Sequence, residues 1–106
     1  MRHYAKPVVI ADDLEALQGK TSGTVTLPHH LQWSGNPVYD LDQPGELMEL
    51  YRVVIGEAMS PADLHAYLDR EMLVTLWSAM WLPRDRREAW EARFPELAAQ
   101  HRASAA

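Results

Sequence analysis

Cysteine is absent from all 106 residues. The chain alone therefore supplies no disulfide, no thiol nucleophile, no zinc ribbon and no cysteine-held iron–sulfur cluster. Long apolar runs are missing too: nothing approaches the roughly 18–20 residues of a membrane-spanning helix. Positions 1–6 carry two basic residues, but only Val8-Val9-Ile10-Ala11 follows before Asp12. That run is short of the roughly 7–15 apolar residues of a secretory signal, so the cytoplasm is the expected location. Basic side chains are the minority, 10 against 15 acidic, for a net charge of −5. Such a surface is a poor match for non-specific phosphate binding, which needs a positive field. The length suits one domain, 1–106, with one core and no room for separate cofactor and substrate lobes. Hydrophobic residues make up 47% and charged residues 24%, values that argue against disorder or fibrous repeats and for a soluble globular domain.

What is present is ordered in two parts. Val8, Val9 and Ile10 are β-branched, which makes residues 1–11 an extended arm or a short strand. Asp12 reads as a cap before Leu14 and Leu17, and Gly19 as the close of a short helix. Thr24-Val25-Thr26-Leu27 alternates polar and apolar residues until Pro28. Leu31 and Trp33 keep the two-residue period, and the turn cluster Ser34-Gly35-Asn36-Pro37 leads to Val38-Tyr39. A small antiparallel sheet over about residues 23–41 is expected.

From Asp42, read as an N-cap before Pro44 and Glu46, the period becomes helical. Leu47, Leu50, Tyr51, Val54, Ile55 and Ala58 make one apolar stripe over three turns. Ser60-Pro61-Ala62-Asp63 starts a second helix with Leu64, Tyr67 and Leu68. Asp69 caps a third carrying Leu73, Leu76, Trp77 and Met80. Pro83 opens a fourth with Trp90 and Phe94, Pro95 interrupts it, and residues 98–106 read as a frayed tail. The expected class is α+β, a small sheet followed by about four helices.

Chemistry-bearing patterns are few. His29 and His30 are adjacent, so on a strand they point to opposite faces, and a surface loop suits them better than a metal site. His3, His65 and His101 are scattered without ligand spacing. Ser22 and Ser34 sit beside glycines but in no nucleophile elbow, and no phosphate-cradling glycine loop occurs. The expectation is no catalytic residues, no metal and no cofactor.

Aromatic and arginine residues say more. Trp77 and Met80 lie on the core face of the third helix, whereas Trp81 is one step off it. A tryptophan leaving a helix end is a semi-buried plug, the favoured reading, or an interface anchor. Arg84, Arg86 and Arg87 oppose the dipole at the start of the fourth helix. Glu88 and Glu91 offer i,i+4 partners to Arg84 and Arg87, and the bland reading is a solvated, salt-bridged face. The alternative is a contact for phosphate or an acidic surface. All three arginines are expected in solvent, so their joint replacement by alanine should leave the fold intact. Residues 1–83 hold 11 acidic and 5 basic side chains, so their partner is expected to be basic.

Four blocks carry a resemblance: Leu17-Gln18-Gly19 with Ser22-Gly23; Val25-Thr26-Leu27-Pro28 with Leu31-Gln32-Trp33-Ser34; Tyr39-Asp40-Leu41-Asp42; and Leu76-Trp77 through Trp81-Leu82-Pro83 to Trp90-Glu91 and Arg93-Phe94-Pro95-Glu96-Leu97. In these the chain resembles a group of short bacterial proteins, antitoxin-like partners encoded beside abortive-infection-type nucleotidyltransferase toxins. The resemblance implies a protein partner, a cognate toxin such as a nucleotidyltransferase, and names no active site. Together with the acidic balance it makes the expected function non-catalytic: neutralising a basic toxin by direct binding, with no membrane contact. The contact residues expected are Trp33, Trp81, His29, His30, Arg84, Arg86 and Arg87. The alternative is a DNA-binding regulator, reading operator DNA as a homodimer through the helices of residues 60–90. Against it, residues 70–82 offer a recognition helix only Arg70.

Overall fold

The computed structural model describes residues 7–105, with side chains through residue 103. Among these residues the chain folds as α+β, a two-stranded antiparallel sheet followed by five helices. Strands β1 (Thr24–Thr26) and β2 (Val38–Asp40) pair with Val25 opposite Tyr39. Leu27 N–H donates to Pro37 O and Leu41 N–H to Gly23 O, which extends the ladder at both ends. Leu31 and Trp33 add no strand. The N–H groups of Leu31 and Gln32 both turn back to Pro28 O, so residues 28–32 form a tight turn and not an extended run.

Helix α1 (Pro44–Glu57) is capped at Gln43, not Asp42. Asp42 instead accepts from Gly23 N–H, while Glu46 accepts from Asp40 N–H at 2.8 Å. The first ties the start of β1 to the link after β2, and the second ties the end of β2 to the first turn of α1. The apolar stripe lies buried as its period requires, with Leu50, Tyr51 and Val54 at 0% exposure. Leu50→Ala should cost about 3 kcal/mol, the middle of the range for truncating a buried leucine. Urea denaturation with a loss under about 0.5 kcal/mol, the scatter of surface sites, would place the core elsewhere.

Helix α2 (Pro61–Tyr67) starts behind Ser60, whose hydroxyl makes no cap bond. Asp63 reaches back instead, accepting from Met59 N–H, before the cap, at 3.0 Å. Helix α3 (Arg70–Leu76) is capped as expected, with Asp69 accepting from Met72 N–H. Asp69 N–H in turn donates to the Tyr51 hydroxyl, locking α3 to α1. Burial pushes that hydroxyl up to about 12; the Asp69 N–H opposes the shift and the Asp69 carboxylate adds to it. Near the start of the chain only a 3₁₀ turn forms, Leu14–Ala16, capped by Asp13 and not Asp12. Gly19 does not close a helix. A Cβ there would stand 2.3 Å from the Tyr67 carbonyl carbon, so glycine is needed for close approach to α2.

After α3 a 3₁₀ turn, Trp77–Ala79, leads into an extended link and then α4 (Arg84–Arg93). Trp77 and Trp90 pack with ring centres 6.2 Å apart, and Phe94 lies 5.7 Å from Trp90. Pro95 starts a fifth helix, α5 (Pro95–Ala105), so the alanine-rich run expected to fray is helical, anchored by fully buried Leu97. Val8, Val9 and Ile10 join no strand, and the rest of the expected arm, residues 1–6, lies outside the described residues. No helix among the described residues is long and apolar enough to cross a membrane.

Candidate interaction site

Two elements that follow prolines or precede them bring the exposed tryptophans together. Beyond Pro28 the turn buries Leu31, at 1% exposure, and throws Trp33 outward, at 72%. Gln32 holds that geometry. Its side-chain oxygen accepts from the Tyr39 hydroxyl, and its Nε2 donates to Ser34 O. Gly35, at φ 77°, supplies the left-handed step that turns the chain back toward β2. The second element is the extended link before Pro83. Helix α3 stops at Leu76, and Met80 is already extended, so the burial pattern switches from helical to two-residue alternation. Met80 and Leu82 point inward and Trp81 points out, 69% exposed. The plug reading of Trp81 is therefore corrected: the chain leaves the helix before Trp81, and the alternation of the extended link turns the indole outward.

Trp33 and Trp81 line one cleft of about 320 Å³ against the outer face of α1, where Arg52, Val53 and Gly56 form the wall and Pro83 an edge. Arg52 donates through Nε and Nη2 to Glu49 Oε1, at 3.1 and 2.9 Å, and its guanidinium lies 5.9 Å from the centre of the Trp81 ring. A wider depression between α3 and α5 has no aromatic lining, and its Arg70 is ion-paired to Glu15 and Glu96.

His29 and His30 lie exposed in the turn before Trp33. The nearest acids in sequence, Asp40 and Asp42, do not meet them; His30 Nε2 lies 2.9 Å from Asp63 Oδ1, at the start of α2. No group of three or more His, Asp or Glu side chains gathers to hold a metal ion among the described residues. Burial raises the Asp63 carboxyl, but the Met59 N–H, His30 and the Ser60 N–H outweigh it and hold the pKa below its ordinary 3.8. A depressed carboxylate stabilises the fold above its unfolded pKa, and that contribution is lost as pH falls through the folded value. Asp63→Asn should therefore be less stable than the parent at neutral pH, with the gap closing below about pH 4. Thermal melts from pH 7 to pH 2.5 (roughly the carboxylate titration range) check this, and a gap constant with pH would remove the carboxylate from the account.

The three arginines separate. Arg84 is in solvent, its side chain 89% exposed and paired with Glu88 at 2.9 Å. Arg86, expected outside, is buried at 9% exposure. Its Nη1 donates to Asp85 and its Nη2 to Gly56 O, joining α4 to the end of α1. Arg87 is 17% exposed, 3.6 Å from Glu91. It donates to the carbonyls of Trp77 and Met80 and lies 5.0 Å from the centre of the Trp77 ring. Trp77 O also takes the Met80 N–H of the 3₁₀ turn, and Arg87 adds a charged donor to this helix end, where carbonyls run short of intrahelical partners. Both arginines are structural, and the expectation of a three-arginine surface contact is corrected.

Sequence reasoning missed Arg52, Val53 and Gly56, and it read Asp63 at its helix start without its partner His30. For the first three a signal existed, since they fall off the buried stripe of α1. For the His30–Asp63 pair there was none, because the two are 33 residues apart. Set against family models, curated proteins and solved structures, the chain matches none.

Proposed function

We propose that the chain is a non-catalytic, antitoxin-like interaction protein of the cytoplasm. It neutralises a basic toxin that handles nucleic acid or nucleotides by binding it directly, and the Trp33/Trp81 cleft is its docking surface. The observation that carries this reading is the pair of tryptophans, 72% and 69% exposed, on a single cleft. Indole is costly to leave in water, and tryptophan is over-represented among the residues that dominate protein interfaces. The net charge of −5 favours a basic partner over a nucleic acid. The resemblance to partners of nucleotidyltransferase toxins supplies the class of target. A DNA-binding role loses support, since Arg86 and Arg87 are engaged inside the molecule and Arg70 is paired.

Co-expression with the product of the neighbouring gene tests the proposal. The two proteins should co-purify, growth should recover from the partner's toxicity, and Trp33→Ala with Trp81→Ala should abolish both effects. Co-purification indifferent to the two tryptophans, or tight gel-shift binding of promoter DNA by the isolated chain, would overturn it.

A further inference from the structure

The outer face of α1 carries Glu46, Glu49 and Glu57 with Arg52 as its own cation, Glu57 lines the cleft itself, and Arg86 of α4 reaches the wall at Gly56 O. That face forms one wall of the cleft, and the chain as a whole is acidic by five charges. Arg52 demonstrates what the wall accepts. Its guanidinium is held between the Glu49 carboxylate, at 2.9 Å, and the Trp81 ring, 5.9 Å from the ring centre. Carboxylate on one side and indole on the other is a favourable surface environment for a guanidinium, which is planar, weakly hydrated and drawn to the ring's negative face. Trp33 borders the same cleft, and among the described residues no cation lies over its ring.

We infer that the cleft takes an arginine side chain of a basic partner protein, seated against Trp33 and balanced by the carboxylates of α1. The inference rests on the protein-binding reading above and specifies the chemistry of the group that enters. Arginine is favoured over lysine because an ammonium keeps its water and cannot stack. A phosphate-bearing strand could stack its bases on the indoles, but its backbone would meet the same carboxylates and be repelled. Arg52 then has an unusual place: it occupies the Trp81 face that an incoming arginine would otherwise use, and it offsets the wall's negative charge. Removing it should strengthen binding.

The test is fluorescence anisotropy with the full chain and a fluorescein-labelled, end-capped peptide of alternating arginine and glycine. A lysine–glycine peptide of the same length and an oligothymidine strand serve as comparators. The arginine peptide should bind more tightly than the lysine peptide, and its binding should weaken with salt. Trp33→Ala should weaken it about fivefold, the weight of one cation–π contact. Arg52→Ala should tighten it about threefold or more by freeing the Trp81 face. Both substitutions are at exposed or half-buried positions, so the variants remain folded. Equal binding of the two peptides, binding unchanged by Trp33→Ala, weaker binding by Arg52→Ala, or preference for oligothymidine would each overturn the inference. If the neighbouring protein still co-purifies through Trp33 and Trp81 while the arginine peptide fails, this inference alone falls. If both fail, the protein-binding reading falls with it.

Discussion

Alanine at Arg84, Arg86 and Arg87 together is expected to destabilise the fold by about 4–6 kcal/mol, most of the margin of a domain this size. Arg84 contributes almost nothing to that loss, because its pair with Glu88 is in solvent. Arg87 carries the largest share. Without it the carbonyls of Trp77 and Met80 lose their charged donor at the end of the 3₁₀ turn, and Trp77 loses the cation over its ring. Hydrogen bonds to charged groups are worth about 1.5–3 kcal/mol each, and a half-broken buried network costs more than its pairs. Glu91 keeps the Trp77 indole N–H and His101, so its carboxylate is not stranded. Arg86 adds the loss of its link to Gly56 O and of the packing of its stem between α4 and α1. Urea denaturation of the single and triple variants measures this. Arg84→Ala should be indistinguishable from the parent. A triple variant as stable as the parent would return all three arginines to the surface and restore them as candidate contacts.

The arginine result marks where reading the sequence stops. Spacing along a helix tells which residues share a face only when one face is known to be in solvent. Residues 84–87 lie on the first turn of α4, and both sides of that turn are covered, by the end of α1 and by the turn after α3. Trp81 lies off the core face as its phase indicates, but the plug reading failed, because nothing local announces that α3 ends at Leu76 and that residues 80–83 run extended. Local signals did well where the physics is local. Pro44 and Pro61 opened helices, Asp69 capped α3, and the stripe from Leu47 to Ile55 is buried as its period demands. The α+β order was legible for the same reason, although Pro95 starts a helix where the reading ended one. The candidate site was half legible. Trp33 and Trp81 stand out by type, but their meeting depends on a turn and an extended link that α1 aligns from beyond the roughly 11–18-residue windows in which pattern arguments work.

Replacing Trp33 and Trp81 by alanine should lower affinity for the protein partner about a thousandfold, or about 4 kcal/mol, while leaving stability within about 0.5 kcal/mol. Each indole is about two-thirds exposed or more in the free chain, so its removal leaves no cavity in the core. On binding, each would be covered by the partner, and a central aromatic anchor contributes about 2–4 kcal/mol. The loss should fall on the dissociation rate, because short-range packing is what the substitutions remove. Salt should act differently. If the partner is basic, as proposed, the acidic surface speeds encounter, so raising ionic strength should slow association and leave dissociation nearly unchanged. Surface plasmon resonance with the neighbouring gene product separates the two. A double variant that binds like the parent would move the interface elsewhere.

Hydrogen exchange of the free chain and of its complex with the neighbouring gene product reads the docking surface without any substitution. The cleft account predicts new protection over residues 28–34 and 80–83 and on the outer turn of α1 around Arg52 and Gly56, with α5 unchanged. Protection confined to α3 and α5, with the Trp33 turn and the Trp81 link exchanging as in the free chain, would contradict it.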